Sequence, residues 1–159
     1  MVWTYTFETF NINTVSSDFT PCIMAIKKGN INALRTLLES GADPNKEYRK
    51  RDNDIHGSDG YRIISYPIIF AIIEDNLEMV KLLVSFGANL SVFLEESKWN
   101  SYEKTINKRS VLSCAMDYKH EEICDFLVEK GMKDNNTLEE INLYEESFGG
   151  KHRRISSSI

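Results

Sequence analysis

The residue types in this chain that most often carry chemistry are three histidines, three cysteines and a short run of aspartates, and their spacing argues against a reaction centre. A nucleophile needs a base and an orienting group converging on it, and a metal needs ligands placed close together. His56, His120 and His152 fall in three separate stretches. Cys22, Cys114 and Cys124 are odd in number and match neither a CxxC redox pair nor a zinc cluster. Asp52, Asp54 and Asp59 suggest calcium, but a calcium loop needs a fixed series closing on a bidentate Glu, and this series breaks at Ile55-His56. Gly57 to Gly60 is too short and wrongly set to cradle a phosphate. The expectation is a protein without catalytic residues, cofactor or metal. An enzyme or metal site built on the stretch around these aspartates is the alternative from a different class.

Contact chemistry is better supplied. One stretch holds Tyr48-Arg49-Lys50-Arg51 and Tyr61, and a later one holds Phe93, Trp99 and Tyr102 among charges. Aromatics and Arg bring large contact area and directional donors, which interface centres favour. Arg49, Arg51, Tyr61, Trp99 and Tyr102 are therefore candidate contacts with a partner. Phe93 and Trp99 have a second reading, in which they pack a long loop onto its own scaffold. At the far end, Arg153-Arg154-Ile155-Ser156 looks like a kinase site and Ser157-Ser158-Ile159 like a PDZ ligand, both short patterns that a disordered tail also accounts for.

Three copies of one pattern surround those stretches. Thr20, Tyr66 and Ser110 each open a copy, with Ala25, Ala71 and Ala115 five residues on and Gly41, Gly87 and Gly131 twenty-one residues on. Thr20 caps a helix whose first position is Pro21, Tyr66-Pro67 repeats the device with a poorer cap, and Ser110 keeps the cap without the Pro. Leu34/Leu37/Leu38, Met79/Val80/Leu83/Val84 and Ile123/Cys124/Leu127/Val128 recur at helical spacing, one apolar stripe per copy. The three glycines stand where a left-handed residue ends a helix. Each copy is thus a helical hairpin that needs a neighbour to cover its stripe.

Together, Thr20-Pro21, Gly29, Leu34, Leu37-Leu38 and Gly41-Ala42-Asp43-Pro44-Asn45 resemble the ankyrin repeat, over roughly residues 20 to 148. The second copy fits well and the third least. The family's His is replaced by Ile23, Ile69 and Ser113, so the buried polar link it makes between neighbouring repeats lacks its residue, and the glycine between helices survives only as Gly29, becoming Asp75 and Lys119. Copy starts lie 46 and 44 residues apart against about 33 in the family, so 13 and 11 extra residues extend the connections after Asn45 and after Ser91.

The resemblance implies an all-α repeat solenoid of helical hairpins with β-hairpin fingers. It also implies partner recognition through the finger tips and the first helix of each copy. Carried over by position, these contacts are Lys27 and Lys28, Ile73 and Glu74, Asp117 and Tyr118, with Arg62 and Arg109 on the fingers, a set mixing both charges with exposed Ile and Tyr. The expected organisation is one domain over 1–148. It divides into a cap (1–19), two repeats with insertions (20–65 and 66–109), a third repeat (110–136) and a capping helix (137–148), with a disordered tail over 149–159. Trp3, Tyr5 and Phe7 alternate with polar residues as a short strand or hairpin over the first repeat would. Thr137-Leu138-Glu139-Glu140 reads as the capping box of the final helix.

Charge and location narrow the partner. The 159-residue chain has a formal charge of -5, and between positions 121 and 146 nine acids face only Lys130 and Lys133, a local charge of -7. That disfavours nucleic acid there and suits a basic protein or a merely solvated face. No long apolar run or basic leader is present, so neither membrane span nor signal peptide is expected, and the thiols suit a reducing cytoplasm. The expected function is a non-catalytic module that binds another protein. An immunity protein that occludes a toxin, an effector or viral protein engaging a host partner, and a homodimer paired through its fingers are its alternative settings.

Overall fold

The computed structural model describes Asn13, residues 19–53 and residues 59–132. The strand expected near residues 3–7, the capping helix and the tail lie outside them. Three helical hairpins follow one another: α1 (Pro21–Lys27) with α2 (Ile31–Glu39), α3 (Pro67–Ile73) with α4 (Leu77–Ser85), and α5 (Val111–Asp117) with α6 (Glu121–Glu129). Caps set their starts. Thr20 Oγ1 accepts from Ile23 N at 3.3 Å and Ser110 Oγ from Ser113 N at 3.1 Å, whereas Tyr66 offers α3 no side-chain cap. Asn30 and Asn76 cap α2 and α4 by accepting from Ala33 N and Met79 N, each at 3.0 Å.

First helices lie beside first helices, α1 on α3 on α5, and second helices beside second helices. The apolar stripes meet in one core: Leu34, Ile68, Ile72, Met79, Leu83, Leu112, Ile123 and Leu127 are all buried in it. Each such side chain contributes on the order of 1.5–3 kcal/mol by leaving water. All three thiols are buried there as small core groups. Burial pushes Cys22 and Cys114 up to about 11 and Cys124 up to about 12.

The all-α expectation needs correction. The extended connections form two hairpins, β1 (Tyr48–Asn53) with β2 (Gly60–Ser65) and β3 (Phe93–Trp99) with β4 (Lys104–Ser110). They do not project separately. β2 also pairs antiparallel with β3, from Gly60 opposite Trp99 to Ile64 opposite Glu95, giving one four-stranded sheet in the order β1-β2-β3-β4. The physical reason is that stacked repeats hold successive fingers side by side, where unpaired strand edges satisfy each other's backbone groups.

Polar links between copies survive the loss of the family's His. Asn45 donates through Nδ2 to the Gly87 carbonyl at 3.0 Å and accepts at Oδ1 from Asn89 N at 2.7 Å. Asn13 accepts from Asp43 N in the same manner at 2.7 Å. His120 reaches the preceding hairpin, with Nδ1 3.0 Å from Asp75 Oδ1. Asp75 (φ 52°) and Lys119 (φ 59°) take the left-handed conformation that Gly29 (φ 63°) takes in the first copy.

Left-handed backbone costs a side-chain-bearing residue about 1–2 kcal/mol, while glycine gives back roughly 0.5–1 kcal/mol through a freer unfolded chain. Lys119→Gly is therefore expected to raise stability by about 0.5–1 kcal/mol in chemical denaturation, the difference of those terms. Gly41→Ala, at φ 89° with open space where a Cβ would stand, should lower it by a similar amount.

The raised thiol values predict the alkaline limb of the stability curve. Unfolded thiols ionise near pH 9 and the folded ones only near 11 to 12, so unfolding releases protons in that window and stability falls as pH rises through it. The denaturation midpoint should drop from pH 9 to 11, and drop less in a variant with alanine at positions 22, 114 and 124.

Candidate functional site

The strand register sorts the sequence-predicted contacts onto two faces, because residues directly opposite in neighbouring strands share a face and successive residues alternate. One face carries Tyr48, Ile63, Leu94 and Arg109 in this register. It turns toward the helices: Tyr48 meets the Phe70 ring of α3 edge-on at 5.5 Å, Leu94 is buried in the core, and Arg109 reaches Asp117 of α5. The opposite face carries Arg49, Arg51, Arg62, Glu95, Ser97, Trp99, Lys104, Ile106 and Lys108.

On the helix side, the ends of α1, α3 and α5 line up. Lys27 stands 3.7 Å from Glu74 of the next hairpin and lies over the Phe19 and Phe70 rings at 5.3 and 5.8 Å. Phe19 in turn stacks on Tyr48 with ring centroids 4.9 Å apart. Lys28 is exposed beside them. Ile73, expected to be exposed, is half-buried, because as an apolar residue in the last turn of α3 it packs against the core. Tyr118 is 43% exposed and lies parallel to the His120 ring, with centroids 5.8 Å apart. Tyr61, on the same side of the sheet, sits under Lys50 Nζ at 5.8 Å.

Arg109 spans the joint between sheet and helices, with Nη2 2.9 Å from Glu96 Oε2 and Nη1 3.2 Å from Asp117 Oδ2. Burial works against its charge, but the bond to Asp117 and the nearby acids outweigh it and hold the guanidinium above its usual range. Two of the predicted contacts, Arg109 and Asp117, are thus partners of each other.

On the outer face Arg62 and Lys108 both bond Glu95, the latter at 3.1 Å. Hydrogen bonds from Lys108 and Arg62 hold its carboxyl below the usual carboxylate range. Arg49 pairs with Glu47 at 2.7 Å, and Arg51 lies over the Trp99 ring at 5.4 Å. Trp99 is half-buried beneath that cation, whereas Phe93 remains 46% exposed. Tyr102 belongs to neither face. It stands 97% exposed in the β3-β4 turn, where Asn100 Oδ1 accepts from Tyr102 N at 2.8 Å and Glu103 N at 2.9 Å.

A family model described as ankyrin repeat matches residues 17–49 and 65–93. These two segments are ankyrin repeats. A protein of Rickettsia bellii described as an ankyrin repeat protein is similar at 29% identity over 79 residues, which is 50% of this chain and 43% of that relative. The chain thus spans less than half the length of the relative it matches. The third hairpin lies beyond the matched ankyrin segments, yet keeps their geometry, including Gly131 at φ 80° after α6. Ankyrin repeats are in general protein-protein interaction modules, and among the described residues no helix is long and apolar enough to cross a membrane.

Two features of this fold escaped sequence reading. Phe19, Tyr48 and Phe70 converge from a connection, a strand and a helix, positions that share no periodicity. Glu95 and Glu96 neighbour each other in sequence yet serve opposite faces, a division visible only once β3 is known to be a strand.

Arg109→Ala should lower stability by about 1 kcal/mol and speed amide exchange along β4, because it leaves Glu96 and Asp117 without their shared cation. Arg109→Lys should recover only part of this, since an ammonium cannot fork to two carboxylates as a guanidinium does.

Proposed function

We propose that the chain is a non-catalytic scaffold that binds a partner protein across the surface formed by the helix ends and the finger sheet. The observation that carries this reading is the continuity of that surface: Lys27–Glu74 joins the first two hairpins and Arg109–Asp117 joins sheet to helix, so the contacts sit on one preformed support. A partner then binds without a large ordering cost. Within the sequence-predicted set, Lys28, Tyr118 and Tyr102 are exposed anchors with no ion pair among the described residues. Lys27 with Glu74, Arg109 with Asp117 and Arg62 with Glu95 hold the surface in shape through their ion pairs, and Ile73 supports it from below. Arg49, Arg51, Trp99 and Tyr61 offer contact area on the two sheet faces.

The buried reduced thiols suit a cytoplasmic setting. Along α6, Glu121, Glu122, Asp125 and Glu129 form an acidic strip, and a basic partner is the second reading that this strip favours.

Capture from lysate with three proteins tests both: wild type, a Lys28→Glu/Tyr118→Ala/Tyr102→Ala variant, and a variant with Gln or Asn at the four α6 acids. A stoichiometric partner lost only in the first variant, with thermal unfolding unchanged, is the expected result. Loss only in the second variant would move recognition to α6, and a partner retained by both would overturn this assignment of the surface.

A further inference from the structure

The outer face of the finger sheet and its β4 edge form a surface separate from the helix side. Five basic side chains lie on that face, Arg49, Arg51, Arg62, Lys104 and Lys108, against Glu95 within it and Glu47 beside it, an excess of three positive charges on a chain of formal charge -5. Lys104 has no ion pair among the described residues.

Along β4 the arrangement is regular. Lys104, Ile106 and Lys108 occupy alternate positions and so share the face at steps of about 6.8 Å, while residues 104–108 are all exposed. Ile106 is 50% exposed, an apolar side chain held between two ammonium groups. β4 is an edge of the sheet among the described residues. The fold already uses strand addition within this sheet, because β3 joins the first hairpin through the edge of β2. A row of lysines normally blunts an edge against other sheets, and it does so selectively, repelling basic strands and admitting acidic ones.

We propose that the β4 edge takes an extended acidic segment of a partner protein as a fifth strand, with acidic side chains opposite Lys104 and Lys108 and an apolar one between them over Ile106. Main-chain hydrogen bonds to the edge supply the affinity of strand addition, and the alternating acid-apolar-acid pattern supplies its specificity. The neighbouring Arg62 and the Arg51–Trp99 pair extend the basic field across the sheet and speed encounter with an acidic strand. A protein strand fits better than a nucleic acid, since Ile106 centres the row with an exposed apolar contact.

This inference rests on the protein-binding reading but places the contact on the β4 edge, which the Lys28/Tyr118/Tyr102 variant leaves intact, so the two can fail separately. The probe is a short synthetic peptide with glutamate, valine and glutamate at alternate positions and threonine between them, titrated into the full chain and read by calorimetry and by amide shifts of β4. Saturable binding is expected, weakened at least about tenfold by a Lys104→Glu/Ile106→Asp variant that melts like wild type. A peptide with lysine for glutamate should bind a Lys104→Glu/Lys108→Glu variant better than it binds wild type. N-methylating alternate peptide amides, tried in both phases, should abolish binding in one phase only. No binding of the acidic peptide, or equal binding of a scrambled peptide of the same composition, overturns the proposal. Tighter binding of single-stranded DNA than of the peptide overturns it in favour of a nucleic-acid surface. If partner capture by Lys28, Tyr118 and Tyr102 persists while the peptide fails, only this inference falls.

Discussion

No hairpin in this chain can bury its own apolar stripe, and everything else follows from that constraint. Leu34 and Leu38 on one second helix, or Met79, Val80 and Leu83 on the next, cover too much surface for a single seven-residue partner helix to shield. Each copy therefore stacks on its neighbour in one register, and first helices meet first helices. The stack sets the distance between the points where the fingers leave. At that distance β2 and β3 are neighbours, and two hairpins that would be marginal alone become one sheet.

Charged groups then adjust this frame more than they hold it up. Lys27–Glu74, Asp75–His120 and the Arg109 fork each cross a joint between copies or between sheet and helix. Exposed pairs of this kind contribute little free energy individually. Their placement nonetheless fixes how the finger sheet stands against the helix ends, which decides which side chains share a surface. The average charge conceals the result: the α6 strip is acidic while the outer face of the sheet is basic.

The repeat itself was readable from residue spacing. Ala at one offset and Gly at another, the Thr20-Pro21 and Ser110 starts and the stripes of the second helices are local signals, each acting within a few residues of itself. The extra length after Asn45 and after Ser91 was equally plain, and with it the existence of two fingers. The role of His120 was not legible because its partner, Asp75, belongs to another copy. Ile73 was misread because position in a repeat predicts a face, not the depth at which a helix end settles.

Local chemistry along the chain thus determined the hairpins, their caps and their order, since helix starts, left-handed turns and apolar periods depend on near neighbours. The pairing of β2 with β3, the gathering of Phe19, Tyr48 and Phe70, and the division of the contacts between two sheet faces depended on strands and helices distant in sequence. Those features were set only when the copies stacked, because a strand has no defined faces or register until it has a partner.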